Sequence, residues 1–441
     1  MALFFRNSRF RFIYFLPFCL PLISLASEDI PPSLDDIEIS LDIPEIDLES
    51  NASEKSHWYD MFRYSLAWQN GLDLNQLSEI NSHRFDTRIT ADDLIFETLY
   101  YKVDGKLLWR LPKDNNISEN KNVELDYRVA EFYLQKNINA FTITAGFQRI
   151  ALGQMDAVQV SDVFTPWDFS EFAFTAPEDA RLGQLILNTQ WFSQYGTWQL
   201  LVNAWPTSNN YPGGDSDTLL KQLLNSDNVY VDDHQPEFLR DYETVLRWQH
   251  KIQKNDFALI YANLLTNQPS FVQQNTNSNF HTRYDRYHML AMSSNYSAGN
   301  FLWKLEIAWK NELEVDPSVQ GKSTIIDGAI GFDYDANGAW AMSTELFNQH
   351  RMDNFNVDKN NTLVVSRISK NWRHDTLTSV AFVSYSLQHK DVISSAALNY
   401  SMTDNWKSEL NATIFHSTNK ESPGYLSRNW DQITLRVFYS F

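Results

Sequence analysis

The sequence predicts an all-β protein, a transmembrane antiparallel up-and-down β-barrel of about 18 strands with an inward-folded long loop. Three observations predict it: an amphipathic final strand, connections that alternate between tight and long, and a polar but aromatic-rich composition. The mean hydropathy is −0.40 although 14% of the residues are aromatic. Barrel strands are only half apolar and collect aromatic residues at both membrane interfaces, so this combination is typical of them. No run of 18 apolar residues offers a transmembrane helix.

The final strand covers residues 431–441. Every second residue from Ile433 to Phe441 is apolar, and Arg436 and Ser440 lie on the other face. A bare apolar edge invites aggregation, whereas a closed barrel pairs its last strand with its first. The strand resembles the closing strand of Gram-negative outer-membrane β-barrels, which implies the barrel-assembly machinery as a partner. The alternative is the last strand of a soluble β-sandwich.

The chain divides into three parts. Residues 1–26 read as a signal peptide, with arginines before an apolar run and a small-residue cleavage site at its end. Residues 27–56 hold ten acidic residues and one Lys, a composition typical of a disordered periplasmic segment. A plug that enters the lumen, or a tail that binds a periplasmic partner, are the alternatives. Residues 57–441 form the predicted outer-membrane β-barrel.

Runs with a period of two predict the individual strands. They lie near 61–70, 83–92, 97–111, 122–135, 139–148, 180–192, 197–206, 238–252, 256–266, 284–297, 301–313, 322–336, 339–350, 361–373, 376–388, 390–402, 405–417 and 430–441. Every second connection is short, as at 136–138, 193–196 and 253–255, whereas 149–179 and 207–237 are long. Short periplasmic turns and long external loops are typical of outer-membrane barrels. Sixteen strands remain an alternative, because the second and third are weakly separated.

Alternation also assigns the two faces of each strand. A charge on the lipid face costs about 2–4 kcal/mol at the membrane midplane, so charged residues in strands are expected to face the lumen. The lumen-facing charges are predicted to be Arg63, Lys106, Arg110, Arg128, Glu243, Arg247, Lys304, Glu306, Lys310, Glu409 and Arg436. Eighteen strands about 4.8 Å apart enclose a cylinder roughly 35 Å across, which side chains alone cannot fill. Water, a folded-in loop, or both must occupy it.

The connection 149–179 carries a recognisable pattern. Gly146 and Gln148 precede it, Gly153 and Asp156 follow, and Pro166-Trp167-Asp168 leads towards Arg181. This stretch resembles a group of porin-like outer-membrane families that includes the alginate-export-type barrels. Relatives place Trp-Gly where this chain has Leu152-Gly153. The resemblance implies passage of an organic anion or export of an acidic polymer.

The composition of this connection predicts that it folds inward. Its aromatic residues would form a large apolar patch if they faced water, and long irregular loops are usually functional or disordered. The predicted constriction consists of Asp156, Asp162, Phe164, Pro166, Trp167, Asp168 and Glu171. The alternative is a surface-packed lid without selectivity. The inward Arg and Lys residues either form a basic ladder opposite the acidic loop or a solvated wall of mutually paired charges.

Several function classes find no support in the sequence. The formal net charge is −19 and no basic patch is present, which argues against nucleic acid as a partner. The only cysteine, Cys19, lies in the signal peptide, and the His residues form no metal-binding motif. No pair of nucleophile and base is specified, so we expect neither an enzyme nor a cofactor.

The prediction is an outer-membrane channel, porin-like, embedded in outer-membrane lipid. It would pass small polar or anionic solutes passively or selectively, or export an acidic polymer. The alternative is a closed-barrel accessory protein that recruits a periplasmic export partner through its acidic N-terminal segment.

Overall fold

A computed structural model describes residues 61–75, 80–96, 98–111, 123–169, 180–210, 230–274, 279–316, 321–336, 338–353, 359–419, 422–425 and 427–441. The predicted signal peptide and acidic segment, residues 1–56, lie outside these ranges. No helix in the described ranges is long and apolar enough to cross a membrane.

The described chain consists almost entirely of β-strands. They are β1 (Phe62–Asp73), β2 (Ile80–Ile95), β3 (Leu99–Arg110), β4 (Glu124–Ile138), β5 (Phe141–Gln148), β6 (Gln184–Ser193), β7 (Gly196–Trp205), β8 (Tyr230–Asp232), β9 (Glu243–Ile252), β10 (Asn255–Leu265), β11 (Ser270–Gln274), β12 (Asn279–Arg283), β13 (Arg286–Ala298), β14 (Phe301–Asp316), β15 (Gly321–Asp335), β16 (Trp340–Arg351), β17 (Asn360–Trp372), β18 (Leu377–Ser386), β19 (Val392–Ser401), β20 (Trp406–His416) and β21 (Gln432–Ser440). All of them except β8, β11 and β12 belong to one 18-stranded sheet.

The large sheet closes into a barrel. Each strand pairs antiparallel with the next barrel strand along the chain, and β1 pairs with both β2 and β21. In the closing pair, Gln69 lies opposite Arg436 and Trp68 opposite Val437. The predicted 18-stranded barrel is therefore confirmed, and the 16-stranded alternative is wrong. A turn with Phe96 at φ 53° separates β2 from β3.

Tight turns join the strands at one end of the barrel. Asn139 and Gln253 reverse the chain at φ 53° and 56°, and Gly299 and Gly338 do so at 62° and 77°. Asn and Gly tolerate this left-handed conformation best. The turn predicted at 136–138 is wrong, because these residues complete β4 and the chain reverses at Asn139. Asn137 and Asn139 are both suitable turn residues, so the sequence alone does not show at which of them the chain reverses.

The two faces of the barrel wall differ in polarity, as β14 shows. Trp303, Leu305, Ile307 and Trp309 are 40–46% exposed on the outer face of the isolated chain. The intervening Lys304, Glu306 and Lys310 are at most 5% exposed and lie inside. A register shift by one residue would bring three charges into hydrocarbon, so the polarity of the two faces fixes the register.

Strands β8, β11 and β12 form a small separate sheet that the sequence did not predict. β8 pairs parallel with β12, and β12 pairs antiparallel with β11. The backbone N–H of His234 donates to Thr282 Oγ1 at 2.7 Å, which links the two connections that carry this sheet. Strands of three to five residues are too short for a period of two to become visible.

Replacing Ile307 by Arg tests the assignment of faces. The variant is expected to lose about 2–4 kcal/mol of unfolding free energy in lipid vesicles, because the guanidinium enters hydrocarbon. The measurement is reversible urea unfolding followed by tryptophan fluorescence. Ile307→Ala is the control for the lost side chain. An arginine variant no less stable than the alanine variant would contradict the assignment.

Candidate functional site

The segment predicted to form the constriction begins at the end of β5, where the chain leaves the barrel wall. Gly146 has φ 136°, and a Cβ built there would come within 2.2 Å of the Phe132 carbonyl oxygen, so only glycine fits. Two residues later, Gln148 Nε2 donates to the Ile186 carbonyl at 2.8 Å. These contacts hold the end of β5 against β4 and β6. The following residues, 149–169, are called the bore segment below.

The base of the bore segment is closed by short-range hydrogen bonds. Thr165 Oγ1 donates to the Ile150 carbonyl at 2.6 Å and accepts the Ile150 N–H at 3.2 Å. Trp167 forms an isolated antiparallel bridge with Arg181, just before β6. The Trp167 N–H also donates to Asn209 Oδ1 at 2.7 Å, which ties the segment to the chain beyond β7. The segment therefore leaves the wall and returns to it as a defined loop.

Two glutamates on distant strands hold the tip of the bore segment. Glu306 on β14 accepts the N–H of Met155 at 3.0 Å and of Ser161 at 3.2 Å, and it also accepts the N–H of Gln154. The Ser161 hydroxyl donates to the same carboxylate at 2.9 Å. One carboxylate thus collects the polar groups of both arms of the tip.

Glu345 on β16 makes the second attachment. Its two oxygens accept the N–H groups of Asp156 at 2.8 Å and Ala157 at 3.0 Å. Following the strand pairings, β14 lies six places around the barrel from β5 and β16 lies eight places from it, where nine is diametrically opposite. The bore segment therefore extends across the lumen to the far wall.

Gly153 allows the close approach of the segment to Glu306. A Cβ built on Gly153 would lie 3.0 Å from Asp162 Cβ and 3.1 Å from Glu306 Oε1. Asp162 accepts the Leu152 N–H at 3.0 Å and binds Arg181 at 2.6 Å. The Leu152-Gly153 pair is thus part of the compact tip, with Leu152 fully buried.

The aromatic residues of the segment are buried. Phe164 is fully buried, and Trp167 and Phe169 are each 4% exposed. The Trp167 and Phe169 rings stack at 6.5 Å, and the Arg181 guanidinium lies 4.9 Å above the Trp167 ring. Pro166 contributes its carbonyl, which accepts the Leu182 N–H at 2.9 Å. Part of the predicted constriction, including Glu171, lies outside the described residues.

The three described carboxylates of the predicted constriction have different surroundings. Asp162 and Asp168 are buried in ion pairs, with Arg181 and Arg128 respectively. The Asp156 side chain is 67% exposed and binds Lys304 of β14, which also binds Asp333. Asp162 and Asp168 therefore stabilise the loop, whereas Asp156 faces the open lumen.

A wall rich in arginine and lysine lies on β21 and on β2 to β4, and Arg149 at the start of the bore segment pairs with it. Its described ion pairs join seven cations to five carboxylates: four carboxylates bind two of the cations each, and Arg128 also binds Asp168 of the bore segment. Asp86 binds Arg84 and Arg436, Asp104 binds Arg88 and Arg149, Asp126 binds Arg110 and Arg128, and Glu131 binds Lys102 and Arg149. We call these seven cations the basic wall. Pairing is extensive, yet cations outnumber the carboxylates that they share.

The remaining predicted lumen charges lie elsewhere. Lys310 binds Asp327 at 2.6 Å, and Glu243 accepts the Leu265 N–H at 2.8 Å. Arg247 is buried on β9, Lys106 is half-buried on β3, and Glu409 is half-buried on β20. Arg63, at the start of β1, is largely exposed and paired with Asp92. The structure thus distributes the predicted ladder over several parts of the wall.

Several residues of the site were not identified from the sequence. They are Arg84, Asp86, Arg88, Lys102, Asp104, Asp126, Glu131, Arg149, Asp333 and Glu345, whereas Arg181 was named only as the end of the sequence pattern. Alternation marks Glu345 as inward-facing, like Glu306, but no local pattern shows which backbone N–H groups a carboxylate will meet. These contacts join residues up to 189 positions apart.

Solved structures with the same architecture are outer-membrane proteins. OpdK from Pseudomonas aeruginosa superposes with a TM-score of 0.51 at 10% identity, covering 86% of this chain and 98% of that one. OccAB3 from Acinetobacter baumannii gives 0.51 at 8% identity, and OccK7 (OpdD) from Pseudomonas aeruginosa gives 0.50 at 12%, each with the same coverage. No protein-family model and no curated protein sequence matches the chain. The chain has the closed 18-stranded antiparallel β-barrel fold of these outer-membrane proteins.

Removing the two carboxylate attachments tests what holds the bore segment. In a Glu306→Gln/Glu345→Gln variant, the amides of residues 154–161 are expected to exchange with deuterium about tenfold faster or more. Hydrogen bonds to a charged acceptor contribute about 1.5–3 kcal/mol, and 1.4 kcal/mol corresponds to a factor of ten. Exchange is measured by mass spectrometry of peptides, with Glu409→Gln as the matched control. Unchanged exchange in the double variant would show that other contacts hold the tip.

Proposed function

We propose that the protein is a passive outer-membrane channel for small organic anions, with the bore segment as its constriction. The observation that supports this proposal most is the basic wall, where the described ion pairs join seven cations to five carboxylates. A solute that passes between the wall and the segment meets an excess of positive charge, which favours anions.

The packing of the bore segment supports a passage on the side of the basic wall. The segment's apolar residues, among them Leu152, Val158 and Phe164, belong to one cluster with inward residues of the barrel strands from β6 round to β20, including Ile186 and Val245. No buried residue of β21 or β1 to β4 belongs to this cluster among the described residues. Of the basic wall, the Arg88 and Lys102 side chains remain 31% and 36% exposed, so their charge is accessible to a solute.

One solved structure of similar fold supports this choice of substrate class. OpdK, whose structure with vanillate gives a TM-score of 0.50 and 10% identity, has been crystallised with an organic carboxylate. Transport through such a channel is downhill and needs no cofactor. An acidic polymer would meet the same wall, so export of a polymer is the second substrate class of this proposal.

Planar-bilayer conductance tests the channel. The purified protein is expected to conduct, and deletion of residues 155–175 is expected to raise the conductance because the segment no longer crosses the lumen. Zero conductance in both proteins would end the channel proposal.

Deletion of residues 27–56 tests the accessory role. If the protein is a channel, this deletion should leave the conductance unchanged. Loss of function in cells with an unchanged conductance would favour the accessory role, in which the segment recruits a periplasmic partner.

Charge removal from the basic wall tests the anion preference. Arg88→Gln/Lys102→Gln leaves Asp104 and Glu131 paired with Arg149, so the wall loses positive charge without losing these pairs. A unit charge at 4 Å in water contributes about 1 kcal/mol. The anion-to-cation permeability ratio, measured as a reversal potential in a salt gradient, is therefore expected to fall about fivefold or more. Arg88→Lys/Lys102→Arg keeps the charge and should keep the ratio. An unchanged ratio in the neutral variant would contradict the assignment.

A further inference from the structure

A lysine lies on the lipid face of the barrel near one rim. Ile368, Lys370 and Trp372 share the outer face of β17, where Ile368 is 41% and Trp372 44% exposed, whereas Ser369 between them is buried inside. β17 ends at Trp372, directly before the tight turn that leads into β18. Tight turns mark the periplasmic side of such barrels. Lys370 therefore faces the periplasmic leaflet, close to its headgroups.

Two indole rings hold the lysine ammonium. Lys370 Nζ lies 4.4 Å from the centroid of the Trp340 ring and 3.7 Å from that of Trp372. Trp340 lies directly opposite Lys370 in the pairing of β16 with β17. The Trp372 indole N–H donates to Ser379 Oγ at 2.9 Å, which fixes the orientation of that ring. The ammonium is thus placed between two aromatic faces rather than extended freely along the wall.

The described surroundings show no carboxylate paired with this ammonium. Among the described residues, no carboxylate lies within ion-pair distance of Lys370, whereas the inward Lys304 and Lys310 each bind aspartates. The indole faces attract the cation but accept none of its N–H groups as an oxygen would. A charged side chain at the membrane interface is expected to reach the headgroup layer, where phosphates are the available anions.

We propose that Lys370, Trp340 and Trp372 form a binding site for the headgroup of an anionic phospholipid in the periplasmic leaflet. The ammonium binds the phosphodiester oxygens, and the two indoles pack against the glycerol region and the upper acyl chains. The adjoining turn exposes Arg373 and His374, which offer donors beside the site, together with one carboxylate, Asp375. A headgroup with a net negative charge, such as phosphatidylglycerol, is therefore bound better than the zwitterionic phosphatidylethanolamine. This site is independent of the proposed channel activity.

Native mass spectrometry of the purified barrel tests the site. Detergent-solubilised protein is titrated with phosphatidylglycerol, and the apparent affinity of the first retained lipid is compared between variants. Lys370→Gln is expected to weaken retention about tenfold. Lys136→Gln is the matched control, because Lys136 also lies on the outer face near a tight turn, on β4. Heat-modifiable migration shows that the variants are folded.

Further measurements distinguish a bound phospholipid headgroup from a bound free phosphate ion. A Trp340→Phe/Trp372→Phe variant keeps the ammonium and should retain the lipid less well than the wild type. Equal retention in wild type and Lys370→Gln, or an equal loss in Lys136→Gln, would overturn the proposal. So would equal binding of phosphatidylethanolamine, or displacement of the lipid by millimolar inorganic phosphate, which would indicate a site for the free ion.

Discussion

The structure depends on the requirement that every backbone N–H and C=O group within the hydrocarbon layer has a hydrogen-bond partner. A β-sheet meets it only by closing, because an open edge would leave a row of unpaired groups in lipid. Pairing of β1 with β21 completes the ring. Once closed with 18 strands, the ring is too wide for its own side chains to fill. The shape that satisfies the backbone therefore creates the lumen and leaves it to be partly filled by a connection.

A loop that fills the lumen also needs hydrogen-bond partners for its buried backbone groups. The loop's own N–H groups have no strand partner, and burial without one costs about 1–3 kcal/mol each. Carboxylates on the opposite wall provide the acceptors: Glu306 and Glu345 together accept five backbone N–H groups of the bore segment. The wall residues that hold the loop are thus acidic for a structural reason. The negative charge of the far wall need not act on a solute.

The two-residue period of the sequence predicts the strands and the residues that face inward. It does not show which distant residues come into contact. Alternation identified all eighteen barrel strands and the inward direction of Lys304, Glu306 and Arg436. It did not identify the partners, since the contact between Glu345 and Asp156 N–H links positions 189 apart. Asn137 and Asn139 are equally suitable turn residues, and only the pairing of β4 with β5 shows that the chain reverses at Asn139. The short strands of the small sheet carried no readable period.

The charges of the bore segment show why net charge is a poor guide to a channel. The whole chain carries a formal charge of −19, and the segment itself is acidic. Yet Asp162 and Asp168 are each paired with an arginine, and Asp156 is paired with Lys304. Charges outside the lumen are screened within about 10 Å at 0.1 M salt, whereas partly buried charges beside a narrow passage are screened much less. The field inside the lumen is consequently set by the few groups that stay accessible there, and on β2 to β4 these include Arg88, Lys102 and Asp126, whose side chains are 31%, 36% and 36% exposed.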